Sequence, residues 1–178
     1  MTTSRIPLLP EALTEPAELV AAVRARRGGT LLPLDRLLLY SPNFTQGWNA
    51  LLKEVRGNFS VEPLLRELAI LTVAIINDAT PEIVSHTRLF LEAGGTTAQV
   101  DALKGDIGAV RGTALFDARA AAVLDLAVEM TRDVAVSDTT FRTAHEVMGS
   151  DQTMIELIGT IATYNMVARF LVALDVRP

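Results

Sequence analysis

The sequence contains no cysteine. Disulfides, thiolate catalysis and sulfur-ligated metals are therefore excluded at the outset. Histidine is nearly as scarce: His86 and His145 are the only two, lie far apart, and make a poor ligand set, so no metal is expected. Aromatic residues amount to 5% against 49% hydrophobic residues, most of these Ala, Leu and Val. Small aliphatic side chains suit close helix packing better than a β-sandwich, and no segment keeps up a strand-like alternation. A glycine-rich phosphate loop is missing as well, because the stretch from Gly105 to Gly112 lacks the lysine and the strand-to-helix setting of such loops. Positive charge is in deficit, with 16 basic against 21 acidic residues and a net charge of −5. That balance favours neither nucleic acid nor an anionic membrane surface. The N-terminal residues show no apolar run of signal-peptide length, and the most apolar segment, Leu68 to Ile76, is too short to span a bilayer. A cytoplasmic protein with no membrane contact is the expectation.

What is present reads as a series of helices. The length of 178 residues suits one core, so a single domain is expected over 1–178, with 1–14 as an extended leader punctuated by Pro7 and Pro10. A first helix is expected from Pro16, as N1, to Arg27, stopped by Gly28-Gly29. Its terminal Arg24, Arg26 and Arg27 read as a solvated basic end that complements the macrodipole. Further helices are expected at about 34–40, 41–56, 62–76, 80–93, 96–103, 116–132, 137–148 and 152–174. Thr80 is the expected N-cap and Pro81 the N1 residue of the fifth. The segments 62–76 and 152–174 are apolar on most faces, more than one small bundle needs to bury, which points to a homo-oligomer. Asp35, Asp101 and Asp106 read as caps or surface residues, and His145 as exposed and without a partner.

Three residues stand out chemically. Glu82 and His86 are four apart, so they share one helix face, and a carboxylate one turn from an imidazole can orient it and raise its proton affinity. The bland alternative is an exposed i,i+4 pair worth a few tenths of a kcal/mol. Glu67 opens the apolar run Leu68-Ala69-Ile70-Leu71-Thr72-Val73-Ala74-Ile75-Ile76, where a carboxylate needs a partner or a raised pKa. It could equally sit with Arg66 in a wet first turn. Tyr164 and Asn165, in the last helix, are candidates for substrate contact, although Tyr164, like Tyr40, Phe44 and Trp48, suits a core or subunit contact at least as well.

The run Arg66-Glu67-Leu68-Ala69-Ile70-Leu71-Thr72-Val73-Ala74, followed by Asn77, Glu82-Ile83-Val84-Ser85-His86 and Ala93-Gly94, resembles the core signature of the carboxymuconolactone decarboxylase and AhpD-like superfamily. The ending Tyr164-Asn165-Met166-Val167-Ala168-Arg169-Phe170-Leu171 is similar to its longer bacterial members, and the resemblance extends over about 30–176. It implies an all-α, AhpD-like bundle of about eight helices, assembled as a trimer or hexamer, with a dimer also open. The peroxidase branch carries a glutamate, a Cys-x-x-Cys pair and a histidine. Glu67 and His86 match the outer members, while Ala79 and Glu82 occupy the cysteine positions, so thiol peroxidase chemistry is not expected. The decarboxylase branch carries Glu-x-x-x-His at this place, as here, and works without metal or organic cofactor. Its true decarboxylases are shorter than this chain, and Thr80 and Pro81 replace the residues usual around the motif.

The resulting expectation is a cofactor-independent lyase or isomerase acting on a small organic acid or lactone through Glu67, Glu82 and His86. In this reading His86 moves the proton, Glu82 orients it, and Glu67 is a second proton store. The other reading is a binding or assembly protein that keeps the fold without the chemistry.

Overall fold

The computed structural model describes residues 4–110 and 113–177. Among them it has ten helices and no strand. They are α1 (Ala17–Arg27), α2 (Pro33–Leu38), α3 (Pro42–Gly57), α4 (Pro63–Ile76), α5 (Thr80–Glu92), α6 (Thr97–Gly105), α7 (Ile107–Val110), α8 (Ala118–Arg132), α9 (Asp138–Met148) and α10 (Asp151–Ala173). The all-α expectation holds. The short α7 falls within the expected glycine-rich loop, whose Arg111 and Gly112 lie outside the described residues.

The chain divides into two compact units, one of residues 1–59 with 173–178, the other of Ser60–Val172. In the first unit, residues 4–16 form no helix, as expected of a leader, yet they are tied down. The Arg5 amide donates to the Leu174 carbonyl at 2.8 Å, the Tyr40 hydroxyl to the Pro7 carbonyl at 2.9 Å, and the Arg36 guanidinium to the Leu9 carbonyl. Leu9, Leu13 and Leu19 pack on a core of Val20, Val23, Leu31 and Leu39. Pro16 is the N-cap of α1 rather than its first residue, and Gly28 closes the helix in the left-handed region at φ 75°. A side chain there would strain against its own backbone, which is why glycine stops this helix.

The basic end of α1 is not solvated as its sequence suggested. Arg24 donates to the carbonyls of Gly29 and Glu11. Arg26 and Arg27 close on the buried Asp35 carboxylate at 3.3 and 3.1 Å. Asp35 also accepts the Leu32 amide at 3.0 Å, so it caps α2 from the inside. Local sequence showed three cations at a helix end, where water normally takes them. The close return of α2 supplies the anion instead.

The second unit is organised around α4, where Leu65 and every residue from Glu67 to Ala74 is buried. It packs against α5 and α8, and α8 against α9. Leu68, Ile70, Leu71, Leu124, Leu126, Leu157 and Ile161 fill the interior. The α4 C-cap residue Asn77 donates to the Val73 carbonyl at 2.9 Å and to the Asn165 side-chain oxygen at 3.3 Å. Asn165 in turn donates to Thr131 Oγ1 at 3.0 Å and to the Ile161 carbonyl at 3.1 Å. That chain of amides ties α4, α8 and α10 together inside an apolar core, where each polar group needs such a partner.

By length and composition α10 could cross a bilayer, but half of its apolar window is buried in the molecule, as befits a core helix. Helices α8 and α9 start at side-chain caps. Asp117 accepts the Ala120 amide at 2.8 Å, and Ser137 the Thr140 amide at 3.2 Å. At α5 the cap is Ala79, so Thr80 is already helical. Its far end turns at Gly94, with φ 104°, and Gly95, where a Cβ would lie 2.3 Å from the Phe90 ring. Phe90 is fully buried, so this contact fixes the end of the helix that carries Glu82 and His86.

Candidate active site

The site is built from two helices of the second unit and covered by a third. Helix α4 begins at Pro63, which places Glu67 beyond the first turn, on a helix with no solvated face along that stretch. The wet first-turn reading of Glu67 does not hold, since its side chain is 3% exposed. On α5 the buried residues are His86 and Phe90, so the imidazole occupies a position of the apolar stripe and is turned towards α4. Glu82 projects from the first turn of α5, where the helix dipole favours a carboxylate.

These placements bring the three residues into one hydrogen-bonded line. His86 Nδ1 lies 2.6 Å from Glu67 Oε2, and His86 Nε2 lies 3.1 Å from Glu82 Oε2. The bland reading of Glu82 and His86 as an exposed surface pair therefore fails: His86 is 1% exposed and Glu82 15%. The Tyr164 ring stands edge-on to the imidazole, with centroids 5.0 Å apart and planes at 83°. Arg66 Nε donates to Glu67 Oε1 at 3.4 Å.

A neutral imidazole has one donor and one acceptor nitrogen, whereas ionised carboxylates only accept. With carboxylates at both nitrogens, the line is satisfied when two protons lie in its two hydrogen bonds. The simplest such state is an imidazolium between two carboxylates. Burial alone opposes that charge and is the largest single influence on His86. The hydrogen bonds from Glu67 and then Glu82, with the charges of both, outweigh it and raise the pKa above 6.5. The arrangement can store a proton at His86 and exchange it with a carboxylate at either end.

The other expected residues fare differently. Tyr164 covers the imidazole, whereas Asn165 has both amide hydrogens committed within the core. His145 lies outside this line; it is partly exposed but not without a partner, since its Nε2 lies 2.7 Å from Asp151 Oδ1 and its ring stacks on Phe141. Arg66 was named in the sequence only as a neighbour in a wet turn. Adjacent residues of a helix do not normally face each other, so spacing offered no signal for its contact with Glu67.

Comparison with known proteins bears on this geometry. The model of the carboxymuconolactone decarboxylase family matches residues 42–129, a span that contains Glu67, Glu82 and His86. That region, just under half of the chain, is similar to the carboxymuconolactone decarboxylase family. Solved structures agree on the fold. A peroxidase-related protein from Ralstonia eutropha with an alkylhydroperoxidase AhpD core superimposes with a TM-score of 0.78 at 16% identity, covering 98% of this chain and 92% of that one. An uncharacterised peroxidase-related protein from a Silicibacter species gives 0.76 at 18% identity, covering 97% and 88%. A protein of unknown function from Agrobacterium tumefaciens, named as a candidate antioxidant defence protein AhpD, gives 0.70 at 18%, covering 79% and 94%. Comparison with curated proteins gives no match. The fold is thus AhpD-like, and Ala79 and Glu82 stand at the positions that the resemblance assigns to cysteines. Ala79 is a buried helix cap, and Glu82 is the outer partner of His86.

Proposed function

We propose that the protein is a cofactor-independent lyase or isomerase acting on a small organic acid or lactone, with Glu67, His86 and Glu82 as its acid–base line. The observation that carries this reading is the line itself: an imidazole sealed from solvent, with a carboxylate at each nitrogen and only the outer one, Glu82, reaching towards the surface. A proton held this way can be delivered outwards on demand, because the histidine exchanges protons near neutral pH.

The exposure order supports roles different from those the spacing suggested. Glu82, not His86, would meet the substrate, His86 would recharge it, and Glu67 would hold the imidazolium from behind. In a decarboxylation the bond to the substrate carboxylate breaks, its electron pair passes into the conjugated carbonyl as an enolate, and CO₂ departs. His86 passes its Nε2 proton to the Glu82 carboxylate, Glu82 gives it to carbon as the enolate collapses, and the neutral imidazole regains a proton from water by way of Glu82. In an isomerisation the Glu82 carboxylate would take a proton from one carbon and return it to another. Either course passes through an anion next to a proton donor.

The test is a panel of unsaturated lactones and keto acids, followed by the Glu82→Gln variant on whatever is turned over. Glu82→Gln keeps the shape but cannot carry the proton, so turnover should fall by about 10²–10⁴-fold. A variant that works at the wild-type rate would remove Glu82 from the chemistry. The homo-oligomer belongs to the same proposal. It is supported by apolar residues left on the surface, among them Val84 and Leu91 seven apart on α5 and Ile155 on α10. Light scattering at micromolar concentration should return a multiple of the 19.2 kDa chain mass; a single-chain mass would refute it.

A further inference from the structure

We infer that Arg66 is a positioning residue of the acid–base line, the counter-ion that keeps Glu67 ionised beside the His86 imidazolium and so lowers the pH at which the line takes up a further proton; this rests on the functional reading above. The argument begins with charge. An imidazolium between two carboxylates carries one net negative charge, and two of its three members, Glu67 and His86, have almost no access to water. Uncompensated charge in such a place is costly and is normally removed by proton uptake. Proton uptake by Glu67 would leave its hydrogen bond to His86 with a carboxylic acid in place of the anion.

Arg66 brings a positive charge to Glu67. Its Nε reaches Glu67 Oε1 at 3.4 Å, the oxygen not used by His86, and its side chain is only 17% exposed. A neighbouring residue on a helix has to fold back to make such a contact, where an arginine on a free surface would extend into water. Arginine keeps its charge over the whole working pH range, so it balances the line without exchanging protons with it. Among the described contacts, the groups facing the line are Arg66 and Glu67 from α4, Glu82 from α5, and the Tyr164 ring from α10. With Arg66 included, these four groups are electroneutral when His86 is charged and both carboxylates are ionised.

The scarcity of histidine makes this testable without a substrate. Nitrogen-15 NMR of histidine-labelled protein shows two ring systems, and His145 serves as the internal reference. At neutral pH both ring nitrogens of wild-type His86 should carry hydrogen; a singly protonated ring would overturn the inference. In Arg66→Gln the line loses a cation and holds every proton more tightly. Both titration steps seen at His86 should move to higher pH by about one unit, while Arg66→Lys should leave them within a few tenths. Wild-type titration in Arg66→Gln, or an equal shift in Arg66→Lys, would refute the charge-balancing role. The wild-type arm stands even if a variant fails to fold. Because no turnover is measured, this result can fail while the catalytic reading stands, and can hold where no activity is found.

Discussion

Each unit of the molecule buries one carboxylate among cations, and the two do it for different ends. Asp35 in the first unit is held by Arg26, Arg27 and the Leu32 amide. Glu67 in the second is held by Arg66 and His86, with Glu82 beyond. Both are almost inaccessible to water and both need positive partners for the same electrostatic reason. The difference lies in what the partners can release. Two arginines give up no proton at any pH the protein meets, so the Asp35 cluster can only hold α1 to the start of α2. One arginine and one histidine make a cluster of similar geometry with a mobile proton in it. Replacing a fixed cation by a titratable one turns a structural clamp into a potential proton store.

The comparison can be broken first at its structural end. Asp35→Asn leaves two guanidinium groups without their anion and weakens the α2 cap. Breaking such a buried cluster from one side, with the arginines still partly wet, should cost about 2–4 kcal/mol in urea unfolding. The His86 titration should not move. A loss below about 1 kcal/mol would mean that Asp35 is a surface pair in effect.

The second end is probed by pH. The folded pKa of His86 is raised, so the folded protein keeps a ring proton that the unfolded chain has already lost above 6.5. The stabilisation is fully present below 6.5 and fades as pH climbs through the folded value. Over that window the unfolding free energy should fall with a slope of at most about 1.4 kcal/mol per pH unit, the limit for one proton. The same measurement on His86→Gln should lack this component. If both proteins showed one slope, the imidazolium between Glu67 and Glu82 would contribute nothing to stability, and the contrast with Asp35 would lose its electrostatic basis.

Much of this was legible beforehand. The stop of α1 at Gly28 was marked in the sequence, and the starts of α1 and α5 were marked within one residue by Pro16 and by Thr80-Pro81, because caps and breakers act through their immediate neighbours. The pairing of Glu82 with His86 followed from helical periodicity, and their relation to Glu67 from the family resemblance. The partners of Asp35, the fold-back of Arg66 and the amide chain from Asn77 to Thr131 were not legible, since each joins residues with no periodic relation.

The sequence by itself determined the helical class, the absence of thiol chemistry and the shared helix face of Glu82 and His86, since composition and local spacing settle these. Only the tertiary structure decided that Glu67 is buried rather than wet, that Glu82 rather than His86 faces outwards, and that the basic end of α1 is a clamp rather than a solvated tail. Burial and charge pairing depend on what packs across from a residue, and no local pattern encodes that.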